Sequence, residues 1–527
     1  MISFGCGCAG LRAAGSRRVE SATGHGCCEK FKARKDFYIF LYKDKQQKIC
    51  VVLYKMKILL IRNHDHGDIN TRLPESLNKV RGILPPLGLA YIAAVLEKAG
   101  YQVGILDVPA LNLTTQELRQ RILEESPTIV GVTTMTSSIK GALEVLKIAK
   151  EHVPITVIGG PQLATYPQET LSYDFIDYGI IGEGEYPFLD LVRAIEQKKS
   201  VENIPGLVYK ENGQVHANPA YIHMNLDEIP FPARHLLPMK KYTSIISRDP
   251  MTTMVSSRGC PFQCGFCFKT PSDAKYRARS AKNIVDEIEL VSNEYKVREI
   301  MFYDDTLTYK KEHVMNICQE ILRRGLKIRW ESPTRVDNID SGLLKLMRKA
   351  GCIRLRYGVE SGDPGILKLM RKGIDLELIK KVFCLTKKAG IETFAYFIIG
   401  YIHETKRTLE NTISLAKSLD PDYLMFTVAT PYPGTPLYEM ARQEGFVQGD
   451  YWREFTLGLT NDRLPYFVPD AEKWVRMAYR SFYFRPAYIL KRLLRIGSWN
   501  DLYKDFKGLK GLLCFKMKSS WLKENIL

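Results

Sequence analysis

Ser256-Ser257-Arg258-Gly259-Cys260-Pro261-Phe262-Gln263-Cys264-Gly265-Phe266-Cys267 sets three cysteines at the spacing C-x3-C-x2-C, with only small, aromatic or single polar residues between them. A loop that short gathers three thiolates around one point, which suits a soft metal centre. Three ligands leave one iron of a four-iron cubane without a protein ligand, open to a group from outside the chain. Zinc is the simpler use of three thiols, but it needs a fourth ligand close by. The nearest histidines, His235 and His313, do not stand at ligand spacing. Cys260, Cys264 and Cys267 are therefore candidate metal ligands, for an iron–sulfur cluster ahead of zinc.

The rest of the composition frames that loop. A chain of 527 residues is too long for one core and predicts about three domains. No run approaches the roughly 18 apolar residues of a membrane span, and the longest candidate, 393–402, has the length of a buried strand. Twelve cysteines without regular pairing do not form a disulfide framework, so a reducing cytoplasm is the expected compartment. The net charge of +18 is concentrated at the ends. Residues 1–55 carry 11 basic against 4 acidic side chains, and residues 471–527 carry 13 against 4. The body between them is nearly neutral, which argues against a basic nucleic-acid channel; no nucleic-acid partner is expected.

Residues 1–55 hold Cys6, Cys8, His25, Cys27 and Cys28 without a recognisable ligand spacing, and the apolar piece 37–42 is too short for a signal-peptide core. They are expected to be a non-native or disordered extension, with Met56-Lys57-Ile58-Leu59-Leu60-Ile61 as the natural start. Residues 56–200 alternate strands (57–62, 102–106, 129–133, 155–158, 175–181) with helices (91–98, 115–125, 138–152, 186–196). That order predicts a doubly wound α/β domain on a parallel sheet, with its ligand at the strand carboxyl ends. Those ends carry Thr133 and Thr134, Gly159 and Gly160, and Gly182 and Glu183, small or polar residues that let a flat ligand approach the backbone. No G-x-G-x-x-G follows the first strand, which weakens a nucleotide reading.

Residues 201–245 read as a hairpin, turning at Glu211-Asn212-Gly213, and a proline-stiffened linker. Residues 246–470 hold six further strands (252–256, 299–303, 327–331, 353–358, 392–399, 422–428) separated by helical stretches that include 283–295, 343–349 and 376–389. Asp304 and Asp305 end the second of these strands, Gly358, Glu360 and Ser361 the fourth, and Gly400 the fifth. Asp and Thr at such ends also serve as helix caps. Cys318, Cys352, Cys384 and Cys514 have no partners at ligand spacing and read as buried thiols. Residues 471–527 form a basic, aromatic, helical tail.

The cysteine loop resembles the motif of the radical S-adenosylmethionine enzymes. The phrases PPLGLAYIAAVLEKAGYQV, VIGGPQLATYP and GEGEYPFLDL resemble the subgroup with a preceding cobalamin-binding domain. The resemblance runs from Met56 to about Leu513 and implies a Rossmann-like cobalamin domain followed by a partial (β/α)6 barrel of TIM type. It implies three cofactors: a 4Fe–4S cluster, S-adenosyl-L-methionine and cobalamin. Phe266 would lie against the adenine, Asp304 and Asp305 would stand near S-adenosylmethionine, Glu360 would accept from its ribose or amino group, and the glycines and threonines of the first sheet would receive cobalamin. Two departures stand out. The cobalt-ligating D-x-H-x-x-G of other cobalamin proteins is absent from Asn63-His64-Asp65-His66-Gly67-Asp68, so His64 and His66 are expected to be loop residues and the corrin to be held without histidine. The usual G-x-P-G-E-T reads Gly400-Tyr401-Ile402-His403-Glu404-Thr405, which puts the turn in doubt and leaves His403 as a solvated loop residue or a proton carrier.

The reaction this resemblance implies is methylation of an unactivated carbon. A 5′-deoxyadenosyl radical abstracts hydrogen, methylcobalamin delivers the methyl group, and a second S-adenosylmethionine remethylates the corrinoid. Anaerobic oxidative cyclisation of a magnesium-porphyrin ester stays open, as does a non-catalytic cobalamin-binding regulator, although the intact cysteine loop counts against the latter. Expected partners are a small-molecule or lipid-like substrate and an electron donor such as flavodoxin or ferredoxin. The tail is expected either to lie on an anionic membrane surface, peripheral at its inner face, or to pack on the barrel. No catalytic side chain is assigned.

Overall fold

The computed structural model describes residues 28–32, 37–44, 47–54, 56–64, 82–244, 246–247, 250–270, 273–460, 463–494 and 499–513. The chain divides into two compact units, Met1–Met56 and Lys57–Leu527. The first contains an antiparallel sheet of β1 (Cys28–Lys32), β2 (Phe37–Asp44) and β3 (Gln47–Tyr54) in the order β1-β2-β3. Cys6, Cys8, His25, Cys27, His66 and Cys514 lie outside the described residues.

The second unit opens on β4 (Lys57–Arg62), whose four middle residues are all buried. Such an unbroken apolar run belongs to a strand covered on both faces. β6 (Gln102–Asp107) and β7 (Ile129–Thr133) flank it, and β8 (Ile155–Gly159) and β9 (Tyr178–Ile180) continue the parallel sheet. A short pairing of β5 (Gly82–Ile83) with β12 (Thr243–Ser244) lies apart from this sheet. The hairpin at 207–217, read as part of a connector, is a component of the sheet. β10 (Leu207–Glu211) pairs antiparallel with β9, and β11 (Gln214–Ala217) with β10, giving seven strands in the order β11-β10-β9-β8-β7-β4-β6. Asn212 and Gly213 both take positive φ, as a two-residue type I′ turn requires.

Two adjacent residues tie the linker to both domains. The Ala233 N–H donates to the Ala90 carbonyl in the helix Leu87–Lys98. Arg234, fully buried, meets Glu287 at 2.6 Å and donates to the Thr253 carbonyl at 2.9 Å. Burial pushes the Glu287 carboxyl up, but the guanidiniums of Arg234 and Arg279 outweigh it and hold Glu287 below its usual range.

The barrel consists of six parallel strands in the order β13-β16-β17-β18-β19-β20. They are β13 (Met251–Met254), β16 (Glu299–Phe302), β17 (Arg329–Thr334), β18 (Cys352–Glu360), β19 (Glu392–Ile399) and β20 (Tyr423–Val428). Between the first two, β14 (Ser257–Arg258) pairs with β15 (Arg277–Ala278). An open barrel leaves the outer edge of β20 with unpaired N–H and carbonyl groups. The helix Ala471–Tyr483 covers that edge with side chains: the Phe426 N–H donates to the Tyr479 hydroxyl, which also lies 3.2 Å from the Phe426 carbonyl, and Tyr483 meets Leu424 in the same way. Tyr488 donates to the Asp422 carbonyl. The first part of the tail is thus packed on the barrel. No helix among the described residues is long and apolar enough to cross a membrane.

Candidate cofactor site between the two sheets

The cysteine loop is closed at its base by the β14–β15 pairing and tied along its length by main-chain bonds. Gly259 takes φ +84°, and a Cβ there would come within 2.3 Å of the Lys275 carbonyl, so only glycine fits this turn. The Cys260 N–H donates to the Asp273 carbonyl, and Lys269 donates to the carbonyls of Cys260 and Phe262. Past the second cysteine, the Gly265 N–H donates to the Met370 carbonyl while its own carbonyl accepts from the Leu437 N–H. The donor set fits a cubane with one open iron. Cys318 and Cys352 sit inside the apolar barrel core, and Cys384 is exposed on the outside of the helix Leu376–Lys388 rather than buried as expected. None of them supplies a fourth ligand. Among the described residues no group of three His, Cys, Asp or Glu side chains is drawn together as around a metal ion.

Residues at the barrel strand ends divide into two groups. Phe266, Gly358 and Glu360 come together around Lys372, a residue the sequence did not single out. Lys372 and Glu360 form a buried ion pair at 2.7 Å, and the lysine nitrogen lies 5.8 Å from the Phe266 ring centroid. Gly358 makes room for them, because a Cβ there would approach Glu360 Oε1 to 2.3 Å and Lys372 Nζ to 2.7 Å. The other group braces the fold. Asp304 is buried and accepts from the Ser256 N–H and from the hydroxyls of Ser256 and Ser257. Burial nevertheless pushes its carboxyl up to about 6. It holds the first barrel strand to the second and leaves Asp305, whose carboxylate accepts from the Gly259 N–H, facing the open space. Ser361 is fully buried, with its hydroxyl against Thr412 on the helix Lys406–Leu419.

The altered turn after β19 keeps its shape. The N–H groups of Gly400 and Tyr401 both donate to Glu404 Oε2, at 2.6 and 2.9 Å. His403 occupies the position where the family places glycine, and it takes φ +64°. Its exposed ring pairs with Glu444 at 2.9 Å, which makes it a surface residue of the turn.

The carboxyl ends of the two sheets face each other across a cavity of about 390 Å³. Thr133, Gly159, Gly160, Gly182 and Glu183 line it from the first sheet, and Arg258, Gly259, Tyr303 and Asp305 from the barrel. Thr134 does not line it: its side chain is buried and bonds to the Met135 carbonyl. A Cβ at Gly159 would find only the Ile180 carbonyl, 3.9 Å away, so a side chain there would project into open space. This backbone cradle fits a flat ring such as a corrin. Glu183 is engaged by protein, with Arg277 at 2.8 Å and Arg258 at 3.2 Å, and Arg258 also meets Glu185 at 2.6 Å. No histidine is among the described residues lining the cavity.

The B12 binding domain model matches residues 76–192 and the Radical SAM superfamily model matches residues 254–416. An uncharacterized methyltransferase of Pyrococcus horikoshii is 37% identical over 447 residues, covering 83% of this chain and 94% of the relative. The chain belongs to the cobalamin-binding radical S-adenosylmethionine enzymes. Within that family, the anaerobic magnesium-protoporphyrin IX monomethyl ester cyclase of Rubrivivax gelatinosus is 33% identical, covering 78% of this chain and 76% of its own. The fold matches the radical S-adenosylmethionine methyltransferase TsrM of Kitasatospora setae with a TM-score of 0.67 at 18% identity, over 87% of this chain and 99% of that one. For this family member, the two cofactor domains are the two sheets described above, and the cavity lies between their carboxyl ends.

Proposed function

We propose that this enzyme methylates an unactivated carbon of a small molecule, using cobalamin, a 4Fe–4S cluster and S-adenosylmethionine. The observation that carries the reading is a shared wall. Gly259 and Asp305 line the cavity between the sheets, and Gly259 immediately precedes the first cluster cysteine. A corrinoid cradled at Gly159 and a cluster held by Cys260, Cys264 and Cys267 would therefore serve one reaction space. Bound there, the cofactors supply a carbon-abstracting 5′-deoxyadenosyl radical and a transferable methyl group.

The chain's own part is positioning and exclusion of water. Phe266 offers an aromatic face for the adenine, and the Glu360–Lys372 pair beside it fixes a carboxylate where ribose or amino groups would donate. Asp305 faces the cavity from the barrel. A low-potential one-electron donor such as flavodoxin or ferredoxin completes the system. Turnover with methyl-labelled methionine, followed by mass spectrometry of the product, tests the reading. One labelled methyl per product supports methyl transfer; an oxidised, unlabelled product favours a cyclase reaction.

The end of the tail supports a second, separate reading. Leu490, Leu493, Leu494, Phe506 and Leu509 are exposed, with exposed Lys507 and Lys510 among the latter. We infer a peripheral contact with an anionic lipid surface, where each cation contributes on the order of 1 kcal/mol within a Debye length. Salt-sensitive co-sedimentation with anionic but not neutral vesicles is the expected result, and equal, negligible sedimentation with both would exclude it.

A further inference from the structure

The three cluster cysteines do not have equal surroundings. Thr306 Oγ1 lies 3.7 Å from Cys260 Sγ, but its one proton is directed to the Asp305 carbonyl at 2.6 Å. Cys267 Sγ faces the Phe268 carbonyl, an acceptor. Cys264 is different. Arg335 Nη1 points at its sulfur from 3.7 Å, and every other part of that guanidinium is occupied: it is paired with Asp337, donates to the Lys372 carbonyl at 2.7 Å and lies 3.8 Å above the Phe262 ring centroid. The side chain has no freedom to turn elsewhere.

Tyr401 approaches the same corner. It is fully buried, yet its hydroxyl has no hydrogen-bond partner within the protein. A Cβ at Gly265, the residue after Cys264, would stand 3.1 Å from that hydroxyl, so the phenol oxygen lies against the cluster loop itself. A tyrosine hydroxyl keeps its proton at neutral pH, so the group is a donor. A buried donor without an acceptor is costly, and no protein acceptor, the Cys264 sulfur included, lies within bonding distance of this one.

We propose that Arg335, donating to the Cys264 sulfur, and Tyr401, donating to a sulfide of the cluster bound beside it, are positioning residues for electron transfer that raise the cluster's reduction potential. Hydrogen bonds and positive charge at cluster sulfurs favour the form that carries the extra electron. One electron enters from the low-potential donor, and no bond is made or broken in this step. The inference rests on the cluster assignment and goes beyond it, because it makes one corner of the loop responsible for the potential.

The test is a redox titration of the anaerobically reconstituted full chain, followed by electron paramagnetic resonance of the reduced cluster, for wild type, Tyr401→Phe, Arg335→Lys and Thr306→Val. Tyr401→Phe removes one oxygen and leaves the ring in place. It is expected to keep full iron and corrinoid content and to make reduction about tenfold less favourable, which is ~59 mV for one electron. Arg335→Lys, which loses the fork, is expected to shift the potential in the same direction. Thr306→Val is expected to leave it unchanged. A normal reduced-cluster signal with an unshifted potential in Tyr401→Phe overturns the inference while leaving the cluster assignment intact. An equal shift in Thr306→Val overturns the asymmetry. Absence of any cluster signal in wild type would instead overturn the assignment beneath it.

Discussion

Arg258, two residues before the first cluster cysteine, meets Glu185 of the first sheet's domain at 2.6 Å. The same guanidinium reaches Glu183 at 3.2 Å and lies 5.4 Å from the Tyr91 ring centroid. One arginine thus joins the cysteine loop to the loop after β9 and to the helix Glu185–Gln197 that follows it. Breaking a buried pair strands the remaining charges, at about 3–5 kcal/mol. Arg258→Ala is therefore expected to lower unfolding stability in urea by at least ~2 kcal/mol, since the site keeps some solvent contact, and to loosen corrinoid retention. A variant as stable as the parent would show that this tie does not hold the two lobes.

Gly159 is expected to be a position where added bulk costs binding rather than folding. Gly159→Leu would place its side chain in the cavity, where only the Ile180 carbonyl is near. Corrinoid content after reconstitution should fall severalfold or more, while far-ultraviolet circular dichroism and iron content stay at parent values. Undiminished corrinoid binding would move the corrin elsewhere.

The cluster reading has its own variants. Replacing Cys260, Cys264 or Cys267 by Ala should each abolish reductive cleavage of S-adenosylmethionine, measured as 5′-deoxyadenosine. A triple variant that still forms it would remove the cluster from the mechanism.

Glu404 gives a pH dependence with a defined sign. Burial pushes its carboxyl from 4.5 up to about 7, although two backbone N–H groups pull the other way. The folded chain then binds this proton more tightly than the unfolded chain. Its contribution is fully present below about pH 4.5 and is lost as pH rises through about 7. The Oε1 atom, without a partner, is where the proton would sit. Glu404→Gln should flatten the fall in stability between pH 5 and 7.5, and an unchanged slope would assign that fall to other groups.

His403 tests the departure from the family turn. A non-glycine residue in the left-handed region costs roughly 1 kcal/mol, while an exposed ion pair contributes about 0–1 kcal/mol. His403→Gly is expected to leave thermal stability unchanged or raise it slightly, and to leave turnover intact. A loss of more than ~1 kcal/mol would mean that the Glu444 contact outweighs the backbone strain.

Sequence reading recovered the strand ends well because their signals are local. Four buried residues in a row made β4 legible, and the Asn212-Gly213 pair made the hairpin legible. Whether that hairpin would stand alone or extend a sheet was not, since its pairing with β9 depends on residues some 30 positions earlier. The same limit applies to the site. Asp304 and Asp305 are neighbours of like chemistry, and only the placement of Ser256 and Ser257 decides that one braces the fold and the other faces the cavity. Glu183 lines the cavity, and only the fold shows that Arg258 and Arg277 also pair with it.

By itself the sequence determined the alternation of elements, hence two α/β sheets, whose carboxyl ends meet at one cavity. Tertiary structure decided which side chains are spent on the fold. Tyr479 and Tyr483 were aromatic residues of a basic tail; folded, they stand one helical turn apart, about 6 Å, which matches the ~6.8 Å between alternate residues of a strand. That match lets their hydroxyls satisfy Phe426 and Leu424 on the open edge of β20. Lys372 and Glu360 are 12 residues apart, and Arg335 and Cys264 are 71 apart. Such pairs are chosen by where the barrel strands end, and no local pattern records them.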